Sequence, residues 1–483
     1  MRRGTRCAAS VTAVLLCAAL LTQIAPTPAR AATPAGRLSP TAMAEWLTTG
    51  DQASLLAPQP ALPFGARLST GAQTIAVNDT TRYQTLTGFG AALTDSSAWL
   101  LSQLPPPTLQ ATLASLFGPG GLSIVRVPLG ASDFVVGAPY TYDDVAAGAI
   151  DPGLADFSIG RDATYLIPLL HAIREINPAV QIVAEPWSAP AWMKTGDSLF
   201  GGSLNPTWAA TYAQYLVRTL DAYAAAGVAI NTLVVQDEPE FSPGDYPGMT
   251  LTEAQEASFI SQDLGPAMRS AGQDSALLGY DDNWNDTTYP TSLLANRSAA
   301  SYLAGVGFHC YDGAVTAQTT VHNRDPKAAI WLTECAGGSW SAGFASDLVW
   351  ETRNLFVGGT RNWATAVLWW NLALDPSGGP HTGGCTDCRG VLTVDPTTGT
   401  VTPNVEYWAL AQASVATEPG AVRVASTTLG NGNLETTAFR NPNGTDSLLV
   451  VNSGTTPRTL QVRDGSLSAP TTLAGGAVAT FSW

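Results

Sequence analysis

Lysine is nearly absent from this chain. Its 483 residues hold two, Lys194 and Lys327, and Lys and Arg together number 23 against 38 Asp and Glu, a formal net charge of −15. A surface of that sign repels a phosphate backbone and excludes nucleic acid as the natural partner. Long apolar runs are also missing, except one at the start. There Arg2, Arg3 and Arg6 precede an apolar stretch that reaches about Ile24, and PTPARA then offers the small residues Ala29 and Ala31. This is the three-part pattern of a secretory signal, so residues 1–31 are expected to be removed and the chain exported to the extracellular space. No other stretch is long and charge-free enough for stable membrane insertion. Cysteine is scarce: once Cys7 and Cys17 leave with the leader, Cys310, Cys335, Cys385 and Cys388 remain. CTDC at 385–388 is half of a zinc pattern without its second pair, and in an exported chain it suits a local disulfide. An H-E-x-x-H helix, a calcium loop, a glycine-rich nucleotide turn and a nucleophile elbow are all lacking. No metal and no cofactor is therefore expected.

What is present is organised in two ways. From about residue 86, apolar runs alternate with helical patterns, the signature of a parallel α/β architecture. The runs are LTGFGAAL, LSIVRVPL, QIVAEPW, INTLVVQDEP, SALLGYDDNW, VGFHCY, AAIWLTE and TAVLWWNLAL. Several are continuously apolar, as strands covered on both faces must be. Between the third and fourth, Asn205 and Pro206 start a helix that Gly227 can stop, with Trp208, Tyr212, Leu216, Leu220 and Tyr223 along one stripe. Thr252 and Gln255 form a capping box for another. Eight such units predict a (β/α)8 TIM barrel; an open doubly wound sheet is weakened because GFGAALTD lacks the nucleotide-turn spacing. The tail reads as short strands separated by NGN, NPNG and SG turns, an antiparallel β-sandwich. The strands before the barrel are too few to make a core of their own. The expected layout is therefore N-terminal strands at 32–84 joining the sandwich, a barrel at 85–400 and the rest of the β-sandwich at 401–483, formed by both chain ends.

In such a barrel, functional residues gather where the strands end. Those positions hold Arg126 and Asp133 after strand 2, Glu185 and Trp187 on strand 3, and Asp237 and Glu238 on strand 4. Asp281, Asp282 and Trp284 follow strand 5, His309 and Tyr311 end strand 6, Glu334 ends strand 7, and strand 8 carries Trp369, Trp370, Asn371 and Asp375. Glu238 and Glu334 end well-separated strands and can face each other across the mouth. Fourteen tryptophans supply flat apolar faces of the kind that sugar rings stack on. Paired carboxylates among aromatic platforms are what glycosidic cleavage needs: one acid protonates the leaving oxygen while the other carboxylate attacks the anomeric carbon or activates water.

At these residues the sequence resembles glycoside hydrolase family 30, the family of lysosomal-type glucosylceramidases and microbial endo-β-1,6-glucanases. GFGAALTDSSAWLL, RVPLGASDF with YTYDD, EPWSAPAWMKTG, VVQDEPEF, GYDDNW, HCY, TECAGG and WWNLALDPSGGP come in the family's order across almost the whole chain. The resemblance implies a retaining β-glycosidase acting on a β-linked glycan or glycoside. Glu238 is then the general acid/base and Glu334 the nucleophile. Arg126 would hold the nucleophile's charge, and Asp133 and Trp187 would contact the innermost sugar. His309 and Tyr311 would surround the catalytic centre. Trp369 and Asn371 would shape the sugar pocket, with Trp370 on the opposite face, and Trp284 would support it. Strands 6 and 7 become neighbours, so Cys310 and Cys335 either pair or remain free thiols.

Three positions depart from the family's pattern. Asp237 stands where most members have Asn, whose amide donates to the sugar 2-hydroxyl; an ionised Asp can only accept. Its charge would also raise the pKa of Glu238. Glu185 replaces the serine usual before PW, and His381 follows GGP where Asn is common. Asp237 and Glu185 occupy adjacent strand ends and could share a proton. An endo-β-1,6-glucanase or glucosylceramidase is the leading expectation. The alternatives are cleavage of xylan, xylosides or fucosides, and a carbohydrate-binding protein on a disabled barrel, which retention of both glutamates disfavours.

Overall fold

The computed structural model describes residues 41–65, 71–341 and 343–483, so the leader expected at residues 1–31 lies outside the described residues. The eight apolar runs form eight parallel strands: β1 (Gly88–Ala92), β2 (Ile124–Leu129), β3 (Gln181–Pro186), β4 (Thr232–Val234), β5 (Ala276–Trp284), β6 (Leu303–Gly313), β7 (Ala329–Glu334) and β8 (Ala364–Trp369). They close in sequence order, with β8 pairing β1. Inside the closed sheet, Ile124, Val183, Val234, Leu278, Trp331, Ala366 and Leu368 form one packed cluster. The alternate residues of the same strands point outward and join the much larger core beneath the helices, among them Val125, Ile182, Leu233, Leu332 and Val367. This two-sided burial is why the strands read as unbroken apolar runs.

The helices follow their sequence signals. Asn205 accepts from the Thr207 backbone N–H at the start of a short turn, Pro206–Trp208, which leads into the helix Ala209–Ala225. Tyr212, Leu216, Leu220 and Tyr223 are buried along it, and Gly227 leaves it at φ 81°. Both halves of the Thr252–Gln255 capping box are made.

The second sheet joins both ends of the described chain. Ala42–Thr48 pairs with the last strand, Val478–Ser482, and Gln73–Thr85 pairs with Val422–Ser426. Met43 and Ile75 share a core with Val424, Leu448, Val450, Leu460, Val462 and Phe481, so the sheet curls onto itself as a sandwich. Two details differ from expectation. Gln73–Thr85 runs parallel to Arg458–Asp464, so the sandwich is not wholly antiparallel. Residues 405–414, assigned from the sequence to the sandwich, form the helix Val405–Ser414. Its Val405, Ala409, Leu410 and Ala413 recur at helical spacing and pack into the barrel's outer core.

Barrel closure brings Gly90 and Gly305 against the backbone of neighbouring strands. A Cβ on Gly90 of β1 would meet the backbone carbonyl of Ile124 on β2. Because a backbone atom cannot swing aside, Gly90→Ala is expected to cost about 2–3 kcal/mol in urea unfolding, an overpacking effect. A change within 0.5 kcal/mol would show that β1 can shift without loss.

Candidate active site

Strand alternation delivers the first functional side chains. Ile124, Val183 and Leu368 face the barrel interior. Two residues on along each strand, Arg126, Glu185 and Trp370 therefore face the same way, one layer nearer the mouth. The same rule corrects the expectation for Trp369. It points outward, 1% exposed, into the core beneath the helices, and Trp370 lines the cavity instead. On β5 the alternation is broken by left-handed backbone at Tyr280 (φ 65°) and Asp281 (φ 73°). The break turns Asp281 toward Arg126 and sends Tyr280 and Trp284 into the outer core, so Trp284 does not reach the cavity. Asn371, at φ 59°, also stands outside the lining, and its Oδ1 accepts from the Thr94 hydroxyl at 2.9 Å.

Arg126 is fully buried and meets four carboxylates. It bonds Glu334 and Glu185 closely, and its Nη2 lies 2.9 Å from Asp237 Oδ1 and 3.1 Å from Asp281 Oδ2. Its guanidinium also lies over the Trp370 ring, 5.3 Å from the centroid. His309, equally buried, faces the same group of acids. Its Nδ1 is 3.1 Å from Glu238 Oε1 and 3.9 Å from Glu334 Oε1, and its Nε2 is 3.5 Å from Asp281 Oδ2. The shared imidazole nitrogen keeps those Glu238 and Glu334 oxygens within about 7 Å of each other. That span admits the roughly 5–5.5 Å of a retaining pair and little of the 6.5–9.5 Å inverting range. Tyr311 donates its hydroxyl to Glu334 Oε1 at 2.6 Å.

Five carboxyl groups thus surround two cationic side chains, and they cannot all be ionised out of water. Burial pushes Glu185 up to about 8. Burial, then the nearby Glu334 carboxylate, holds Asp237 well above the usual range. Burial raises Glu238 as well, against the opposing pull of His309. Burial also opposes ionisation of Asp281, but Arg126 and His309 outweigh it and leave Asp281 below the ordinary carboxylate range. His309 is raised well above its usual value because Glu334 and Asp281 overcome its burial. The coherent state at mildly acidic pH has Arg126 and His309 charged against the ionised Asp281. Glu185, Asp237 and Glu238 then carry protons.

Above this cluster opens a cavity of about 750 Å³, walled by Asp133, Trp187, Trp370, Tyr246, Tyr311 and Trp340 among others. Trp187 and Trp370 stack at 5.3 Å with their planes 16° apart. Asp133 lies against Gly384, whose φ of 65° and missing side chain give the carboxyl its space. Asp133 Oδ1 and Trp187 Nε1 are buried with no hydrogen-bond partner among the described residues. Burial, then Glu334, lifts the Asp133 pKa well above its ordinary value. One flank is built near the Cys385–Cys388 disulfide, and Cys310 and Cys335 are also joined. Tyr246 and Trp340 escaped sequence reasoning because they sit outside the barrel strands, where no periodicity fixes direction. The outward-facing alternative for Trp369 was the signal that could have found Trp370.

Asp237, His309 and Glu334 bring ligand-type atoms within 4.8 Å of one another, the one grouping among the described residues that could meet round a metal. Arg126 already bonds both of its carboxylates, so the guanidinium occupies the cationic role there.

Burial also raises acids elsewhere: Glu256 to about 8, Glu406 to about 7 and Asp143 to about 6. With Glu185, each holds a proton in the folded chain at pH values where the unfolded chain has released it. Unfolding therefore releases protons, and stability falls as pH rises from about 4.5 to about 8. Thermal melts should show the highest Tm near pH 5 and a loss of about 5 °C or more by pH 8. A Tm that rises over that range would contradict the protonated cluster.

Two family descriptions match the chain: the glycosyl hydrolase family 30 TIM-barrel domain over residues 86–414, and the family 30 beta sandwich domain over residues 420–481. Endo-1,6-beta-D-glucanase neg1 of Aspergillus fumigatus is 33% identical over 78% of this chain and 81% of its own. Lysosomal acid glucosylceramidase of Mus musculus is 30% identical over 83% of this chain and 82% of its own. Among solved structures, the endo-beta1,6-glucanase BT3312 superposes with a TM-score of 0.86 at 30% identity, covering 92% of this chain and 99% of that one. With the barrel domain matched over residues 86–414 and the sandwich domain over residues 420–481, this chain belongs to glycoside hydrolase family 30 and is a glycoside hydrolase.

Proposed function

We propose that this enzyme cleaves β-glucosidic bonds with retention of configuration, and that its substrate is a β-1,6-linked glucan. The observation that carries the reading is the meeting of Glu238 and Glu334 at one His309 nitrogen, from the ends of β4 and β7. Glu238 is the proton donor: burial keeps it protonated above the ordinary glutamate range, and the proton goes to the leaving glycosidic oxygen. Glu334 attacks the anomeric carbon as the carbon–oxygen bond breaks, forming a glycosyl-enzyme ester. Arg126 and Tyr311 both donate to Glu334, which suits a carboxylate and fixes its aim. Water, deprotonated by the now ionised Glu238, then releases the sugar. Trp187 and Trp370 form the wall for the ring, and the free polar atoms of Asp133 and Trp187 are placed for its hydroxyls.

The glucan preference rests on the 33% identity to the Aspergillus fumigatus enzyme and the 0.86 superposition on BT3312, both endo-1,6-glucanases. The mouse glucosylceramidase, at 30% identity, supports glucosylceramide as the second reading. Export fits the leader-like residues 1–31 and the two disulfides, which persist in an oxidising compartment.

Hydrolysis of an aryl β-glucoside and of β-1,6-glucan, followed by NMR of the first-formed anomer, tests this directly. The β-anomer is expected first, and Glu334→Gln should lower kcat by about 10³-fold or more. Early α-anomer, or activity surviving the substitution, would remove Glu334 from the nucleophile's place.

Asp237 acts here as a neutral donor. Its Oδ1 accepts from Arg126, which leaves a protonated Oδ2 free to donate to the sugar's 2-hydroxyl as an asparagine amide does. Asp237→Asn should therefore keep most of kcat at pH 5, whereas Asp237→Ala loses about tenfold or more. As pH rises, the wild type loses activity through ionisation of both Asp237 and Glu238, but the Asn variant through Glu238 alone. The ratio of variant to wild-type activity should climb with pH; a ratio flat from pH 5 to 8 would show that Asp237 does not titrate in the working enzyme.

A further inference from the structure

Beside the catalytic cavity lies a second, of about 530 Å³, and the two share Tyr311, Ala336 and Trp340 as a common wall. Beyond that wall the groove runs to the helix Phe344–Glu351 and its Trp350. Two indoles stand open here, Trp340 at 55% exposure and Trp350 at 45%, on a protein whose other tryptophans are more enclosed. The Trp340 ring lies so closely on Gly338 that no side chain fits between them, so the indole is supported from behind and its free face is fixed.

The groove also has a polar floor. Asp347 is held by Arg389 Nη2 at 2.7 Å and by the Ser341 hydroxyl at 2.6 Å. Glu351 is only 2% exposed and lines the groove, yet its buried Oε2 has no hydrogen-bond partner. Burial, then the neighbouring Glu406 and Asp347, pushes the Glu351 pKa well above its usual value. A buried neutral carboxyl without a partner costs stability that a ligand hydroxyl can recover. Flat apolar faces around a single free polar group are the chemistry that recognises a pyranose, whose faces are apolar and whose edges carry hydroxyls.

We propose that this groove is a distal binding site for the leaving-side portion of a β-linked glucan, with a sugar unit against Trp350 and hydrogen-bonded by Glu351. The proposal rests on the β-glucan hydrolase reading above. The occupant follows from continuity. The catalytic cavity is closed at its deep end by Asp133, Trp187 and Trp370, all at most 5% exposed, so the ring attacked by Glu334 has no room to continue there. The rest of the chain must leave over the rim, and Trp340 and Tyr311 form both that rim and the start of the groove. A site of this kind makes the enzyme favour the terminal bond of a long chain over that of a short glycoside.

The test compares wild type, Trp350→Ala, Glu351→Gln and Ser346→Arg on an aryl β-glucoside and on a long β-1,6-gluco-oligosaccharide. Ser346 is exposed on the groove wall, so its replacement blocks the site without touching the core. On the aryl glucoside all three variants should stay within about twofold of wild type. On the oligosaccharide KM should rise about tenfold, a loss of about 1.4 kcal/mol of binding, with kcat little changed. Equal losses on both substrates, or none on either, would overturn the groove's role while leaving the hydrolase reading intact. A wild type inert toward every β-glucoside would instead overturn that reading, and this proposal with it.

Discussion

A guanidinium buried at the mouth of a barrel is unfavourable unless every direction it points in is met, and Arg126 is met from almost all sides. Its four carboxylate partners come from β3, the end of β4, β5 and the end of β7, and Trp370 beyond β8 covers its face. One side chain on β2 therefore registers five other strands at their functional ends. Removing any partner would leave a desolvated charge less well compensated, at a cost of several kcal/mol. The geometry required to hold Arg126 is the same geometry that aims Glu334, so stability and the alignment of the proposed nucleophile are not separable in this layer.

The two acidic departures from the family pattern make sense together in that frame. Glu185 and Asp237 add two carboxyl groups around a guanidinium that Glu334 and Asp281 already contact. Burial outweighs the pull of Arg126 and His309 on both and drives them toward the protonated form. A protonated carboxyl can donate as a serine hydroxyl or an asparagine amide does. The site thus holds two neutral donors, but only while pH is low enough.

Much of this was legible from the residues alone. The eight strands, their order and the glutamates ending strands 4 and 7 followed from apolar runs that stop abruptly in charge. Side-chain direction was less accessible, because it depends on phase. Trp369 and Trp370 are adjacent, and only the register of Leu368 in the interior layer decides between them. For Trp284 the phase is reset by two left-handed residues, and neither Tyr280 nor Asp281 carries a glycine's signature to announce it. The helix Val405–Ser414 was missed because AVRVAST and the strands after it set the expected pattern for the whole tail. Tyr246 and Trp340 belong to loops placed by tertiary packing, as does the groove that Trp340 shares.

The proton-loaded cluster is not an isolated device. Glu256 under β5, Glu406 on the helix beneath β1 and Asp143 near Trp192 lie outside the Arg126 cluster and each is pushed upward by loss of solvent. Arg389 pairs with Glu406, but no ion pair is formed by Glu256 or Asp143 among the described residues, and Lys194, one of only two lysines, is itself buried and lowered to about 7. A fold poor in cations and rich in enclosed acids can ionise them only by breaking packing, so its folded state is tied to mild acidity. The proposed mechanism requires the same condition, since in it Glu238 must hold its proton to release the leaving group. Chemistry and fold thus draw on one cause, the burial of carboxyls whose desolvation outweighs the cations beside them, and they weaken over the same pH range.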